Sequence, residues 1–115
     1  MVLVADTPWK RMKGLMFKKK PEALLLVFDK PGCHGIWMLG MRFPIDLVFI
    51  DSEKRVVDVF EGIKPVSWNP RTWKIYKPRK PAKYALELPE GSVKNAKNPQ
   101  VLIRDLLISS LKLKT

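Results

Sequence analysis

Three groups of residues in this sequence carry side chains able to do chemistry. Cys33 and His34 are adjacent and are the only cysteine and histidine in the chain; a thiol beside an imidazole has the composition of a nucleophile and its base. Asp46 stands alone among apolar neighbours in Phe43-Pro44-Ile45-Asp46-Leu47-Val48-Phe49-Ile50. Such surroundings make its charge costly and mark it as a candidate general base or ligand contact. Further on, Trp68, Trp73 and Tyr76 interleave with Arg71, Lys74, Lys77 and Arg79, the mixture that stacks rings while neutralising phosphates.

Each group also has a purely structural use. Successive side chains of a strand point to opposite faces, so Cys33 and His34 do not readily touch, and Cys33 reads as a small, partly buried filler. His34 and Asp46 would have to converge from separate segments to serve as acid and base of a hydrolase or lyase. Asp46 can instead accept hydrogen bonds from backbone N–H groups of the Arg42-Phe43-Pro44 turn, with Arg42 as its nearest cation; this structural use is the favoured reading. The Trp rings can close one end of a β scaffold while the lysines keep an exposed edge from pairing with another molecule. No Gly-rich phosphate loop, nucleophile elbow or two-histidine metal spacing occurs, so neither a metal nor a cofactor is expected.

The elements that must position these residues follow from patterning. Val2 to Ala5 suits a short strand, and Asp6-Thr7-Pro8 then opens a short helix with a capping side chain before a proline, with Trp9, Met12 and Leu15 on its apolar face. Ala23 to Phe28 is a continuous apolar run, as expected of a strand covered on both faces, and Asp29-Lys30-Pro31-Gly32 ends it as a turn. His34 to Leu39 is a further strand candidate. Ile45 to Ile50 and Arg55 to Phe60, separated by the polar Asp51-Ser52-Glu53-Lys54, form an antiparallel hairpin.

From Gly62 to Leu86 there is no acidic residue, whereas Lys64, Arg71, Lys74, Lys77, Arg79, Lys80 and Lys83 are all basic, and four prolines prevent a long ladder. Tyr84, Leu86 and Leu88 then alternate with Ala85 and Glu87 as a half-buried strand. The segment Val101 to Ile108 fits either a strand or, behind Asn98-Pro99, a helix; the strand is preferred.

With 115 residues, 46% of them hydrophobic, the chain suits one domain with one core and is not a disordered polymer. No apolar run approaches a bilayer-spanning length, and no secretory signal is evident at the N-terminus, so a cytoplasmic location is expected. A lone cysteine excludes an intramolecular disulfide. The net charge of +11, from 22 basic and 11 acidic residues, favours a polyanionic partner: nucleic acid, anionic headgroups or a phosphorylated ligand.

The segments Ala5-Asp6-Thr7-Pro8 with Gly14-Leu15-Met16, Phe43-Pro44-Ile45-Asp46-Leu47-Val48-Phe49-Ile50-Asp51, and Tyr84-Ala85-Leu86-Glu87-Leu88-Pro89-Glu90-Gly91 together resemble the family called domain of unknown function 192. The resemblance implies a compact, mainly β, sandwich-like or barrel-like domain with a short helix after the first strand, and it implies no particular activity. This chain departs from the family pattern at Gly40-Met41, where many members have Asn-Thr, and at Arg104-Asp105, where many have Gly-Asp.

The expectation is therefore a non-catalytic binding module for an anionic ligand, either nucleic acid or a small phosphorylated or carboxylated molecule. Its ligand-binding residues would be Trp37, Arg42, Asp46, Lys64, Trp68, Arg71, Trp73, Lys74, Lys77 and Arg79, in a cleft that His34 helps to bound. The alternatives are the hydrolase or lyase built on His34 and Asp46, and a structural or protein-interaction domain.

Overall fold

The computed structural model describes residues 2–7 and 22–114. Its centre is a five-stranded sheet in the order β1-β2-β7-β4-β5. β1 (Val2–Ala5) lies parallel to β2 (Ala23–Gly32), and the remaining neighbours are antiparallel: β2 with β7 (Ala82–Pro89), β7 with β4 (Ile45–Ile50), and β4 with β5 (Val56–Ile63). A separate two-stranded ladder joins β3 (Ile36–Trp37) to β6 (Ile75–Tyr76). The helix expected from Pro8 lies outside the described residues.

Strand periodicity of two sorts the core into a layer on each face of the sheet. On one face Leu24, Leu26, Phe28, Ile45, Leu47, Phe49 and Ala85 pack beneath Met38, Ile36 and Tyr76 of the small ladder and its connections. Edge-on contacts of Phe49 with Phe60 (6.1 Å between centroids) and of Phe60 with Tyr76 (5.4 Å) carry that packing from β4 through β5 to β6. On the other face Leu25, Val48, Ile50, Leu86 and Leu88 meet Val93, Ile103 and Leu107. Those last residues come from α1 (Ser92–Asn95) and α2 (Pro99–Lys114).

The packing on the two faces corrects two expectations. The C-terminal segment is a helix, not a strand: Asn98 caps it by accepting from Val101 N–H at 3.3 Å, and Ile103, Leu107 and Ser110 recur on one buried side. With that side laid over one face of the central strand β7 and the layer around Met38 and Tyr76 over the other, Glu87, which pairs with Leu24 and Leu47 on the latter face, is buried, not solvent-facing.

Two further boundaries shift. Residues 29–32 extend β2 through an irregular register instead of ending it as a turn, and only Ile36–Trp37 of the 34–39 segment is strand. The β4–β5 hairpin closes as its sequence suggests, with the Asp51 carboxylate accepting from the N–H groups of Glu53 and Arg55, both at 2.9 Å, and Lys54 in the left-handed region at φ 66°.

Candidate functional site: an aromatic and basic face

The β3–β6 ladder is short, but its alternation is clean. Ile36 faces Tyr76 on the core side, and Trp37 faces Ile75 on the outside, where these two remain 53% and 60% exposed. Gly35 permits this pairing, because a β-carbon there would come within 2.4 Å of the Ile75 side chain. Beyond β5 the chain turns back, with Val66 N–H donating to the Met38 carbonyl.

Residues 67–73 then fold on themselves around a 3₁₀ turn (Pro70–Thr72). Asn69 Oδ1 caps it by accepting from Arg71 N–H, and Thr72 Oγ1 accepts from Ser67 N–H while donating to the Asn69 carbonyl. The indole Nε1–H of Trp73 donates to the Ser67 carbonyl at 2.7 Å. That bond fixes one ring, whereas Trp68 is 94% exposed.

The outcome is an open depression of about 450 Å³ lined by Trp37, Leu39, Val66, Ser67, Trp68 and Trp73. Trp37, Trp68 and Trp73 are thus brought together. Arg71 lies in the turn between Trp68 and Trp73, Lys74 follows directly, and both are exposed. Lys77 is exposed with its stem against Gly35 on the adjoining edge, and Lys64 and Arg42 are exposed on neighbouring connections. Arg79 is different, because its guanidinium meets Asp58 Oδ1 at 3.2 Å and its backbone N–H meets Oδ2 at 3.1 Å. Partial covering of Asp58 works against its ionisation, but these Arg79 contacts and the Val59 N–H outweigh it and hold the carboxyl below its ordinary range. Arg79 is already paired and contributes little free positive charge.

Asp46 and His34 do not join this depression or each other. Asp46 is buried on the helix-facing side, where Oδ1 accepts from Gly62 N–H at 2.9 Å and Oδ2 from Val93 N–H at 3.0 Å. It ties the end of β5 to the start of α1, in place of the expected bonds to the 42–44 turn and Arg42. His34 stacks on Phe28 at 4.2 Å on the opposite side of the sheet, and its Nε2 donates to the Lys30 carbonyl at 2.8 Å.

Along β7, Gly32 pairs with Ala82 and Asp46 with Leu88. Those six residues of strand correspond to about 20 Å, far beyond one bridging water. Cys33 is exposed, which corrects its reading as a filler.

One titratable group escaped the sequence reading. Glu87 is 5% exposed, lies between Leu24 and Leu47 in the sheet, and leaves Oε2 without a hydrogen-bond partner. Burial pushes its carboxyl from 4.5 up to about 7. Ala85 two positions earlier was the available signal, since an apolar side chain on the supposedly wet side argues for burial there as well. Among the described residues, no group of three His, Cys, Asp or Glu side chains could hold a metal ion.

Fold and site together define a small, mainly β domain in which Trp37, Trp68 and Trp73 line one open depression and His34 and Asp46 lie apart. The chain belongs to the DUF192 family, described as uncharacterized ACR, COG1430, whose profile matches residues 1–98. A UPF0127 protein of Pyrococcus horikoshii is 40% identical over 95 residues, covering 78% of this chain and 73% of that protein. Another from Pyrococcus furiosus is 37% identical over 97 residues, covering 80% and 74%.

Two solved structures are similar. A Novosphingobium aromaticivorans protein of unknown function superposes with a TM-score of 0.73 at 22% identity, over 81% of this chain and 65% of that one. A Sinorhizobium meliloti protein, described as a candidate transcription regulator, gives 0.72 at 30% identity, over 81% and 70%. α2 begins where the family match ends.

Proposed function

We propose that this protein is a non-catalytic binding module whose working surface is the indole-lined depression with its basic margin, and whose partner is anionic. The convergence of Trp37, Trp68 and Trp73 beside unpaired Arg71 and Lys74 carries the reading. The rings offer apolar area and shape, while the cations offer attraction that no neighbouring acid in residues 62–86 offsets. A hydrolase or lyase built on His34 and Asp46 has no support in the geometry, because the two lie on opposite faces of the sheet.

Tryptophan emission tests the proposal directly. It is followed while a single-stranded oligonucleotide, a nucleoside monophosphate and vesicles containing an anionic phospholipid are added in turn. At least one should shift the emission, with an affinity that falls as salt rises; for a single strand the expected slope is about 0.7 log units for each phosphate neutralised. The double substitution R71A/K74A should weaken binding and flatten that slope. The description of the Sinorhizobium meliloti relative makes the oligonucleotide a necessary member of the set. If no anion perturbs the indoles at low salt, the reading fails.

A further inference from the structure

We infer that the anionic partner of this surface is a lipid bilayer, met peripherally with Trp68 at the point of entry; the inference rests on the binding reading above. Trp37, Leu39, Trp68, Trp73 and Ile75 are five of the eight large hydrophobic side chains left exposed among the described residues, and all five belong to the β3–β6 layer and its loops. A platform for stacking bases holds its rings against the protein with one face free. Trp68 has little protein against it, at 94% exposure, and the depression it lines with Trp37 and Trp73 is completed by the aliphatic Leu39 and Val66. Covering such a ring requires a medium that surrounds it, and the headgroup boundary of a bilayer is the setting that indole, an apolar body with one polar N–H, favours.

The loop is also prepared for a medium poor in water. Ser67, Asn69 and Thr72 exchange their hydrogen bonds among themselves, and the Trp73 Nε1–H is taken by the Ser67 carbonyl. Few polar groups would be orphaned on entry. Arg71 and Lys74 follow Trp68 in the same segment and are exposed, as are Lys64, Lys77 and Arg42. Each Lys or Arg brought to an anionic surface raises partitioning about fivefold. No helix among the described residues is long and apolar enough to cross a membrane; the contact proposed is with the surface only.

The full chain is sedimented with vesicles of phosphatidylcholine, with and without about one third phosphatidylglycerol, and with brominated acyl chains to quench indoles that reach the hydrocarbon boundary. Expected are binding to the anionic vesicles, quenching by bromine, and a roughly tenfold or greater loss in Trp68→Ala, whose circular dichroism should match that of the parent. If oligonucleotide but not vesicles shifts the emission, the membrane inference falls while the binding reading stands; if neither does, both fall. Vesicle binding without bromine quenching, or unaffected by Trp68→Ala, shows a cationic coat only and overturns the inference. So does a concentration-dependent dimer that Trp68→Ala abolishes, which would assign the face to a second copy of the chain.

Discussion

Glu87 offers the sharpest quantitative test of the fold. Its carboxyl titrates near 4.5 in an unfolded chain and is pushed up to about 7 by burial in the folded one. Between those values the native protein holds a proton that the unfolded chain releases, so raising the pH favours unfolding. At about 1.4 kcal/mol per pH unit separating the two values, the native state loses about 3 kcal/mol by the upper end of the window. The neutral isostere Glu87→Gln removes the titration and nothing else of comparable size.

Urea denaturation of both proteins from pH 4 to 8 should give similar stabilities at the acid end and a gap that opens above pH 4.5. Near pH 8 the variant should be more stable by about 3 kcal/mol, on the order of 10 °C in melting temperature for a chain of this size. Two curves that stay parallel across that range would refute the assignment of a proton to this carboxyl.

Three other substitutions test the remaining supports. Asp46→Asn leaves one of the Gly62 and Val93 N–H groups facing an amide donor, and should cost about 2–3 kcal/mol in chemical denaturation. Gly62→Ala places a β-carbon at φ 60° and 3.2 Å from the Glu90 carboxylate, for an expected loss of about 1–2 kcal/mol in the same assay. Leu107→Ala opens a cavity beneath α2, where the side chain is 1% exposed, and should lower stability by about 2–5 kcal/mol. Deleting residues 99–115 should uncover Leu25, Val48 and Ile50 and make the protein aggregate, as read by light scattering.

What the sequence could and could not reveal divides along a physical line. The β4–β5 hairpin was legible because its apolar runs and polar loop are local, and β2 because an uninterrupted apolar run admits few readings. α2 was not, because β-branched Val101 and Ile103 suit a strand and only the docking of its buried side on the sheet decides the matter. Glu87 was hidden by the other layer: alternation in Tyr84 to Leu88 looks like one wet face until Met38, Ile36 and Tyr76 cover the side that Glu87 shares with Leu24, Leu47 and Ala85. Asp46 was legible as a backbone acceptor but not in its partners, since Gly62 and Val93 lie 16 and 47 residues away in the chain. For the proposed site, the acid-free composition pointed to the segment that carries Trp68, Arg71, Trp73 and Lys74. It could not show that Arg79 is neutralised by Asp58, or that the indoles gather at Leu39 and Val66 without His34.

Why the exposed indoles lie in the small layer follows from the same packing. Both faces of the five-stranded sheet are covered, so its side chains are committed to the core. The proline-rich connection from Pro65 to Pro81 forms a single two-residue strand and one 3₁₀ turn, leaving Trp68 and Trp73 outside any ladder. An indole carries about 150–250 Å² of surface, so leaving one in water forgoes about 4–6 kcal/mol that burial would supply. For Trp68 the folded chain recovers almost none of this, and replacing it should therefore change stability by less than about 0.5 kcal/mol. If Trp68→Ala instead unfolds the domain, the ring is a structural prop and its exposure has another cause. If stability is unchanged while partner affinity drops, the missing contacts are those the partner makes.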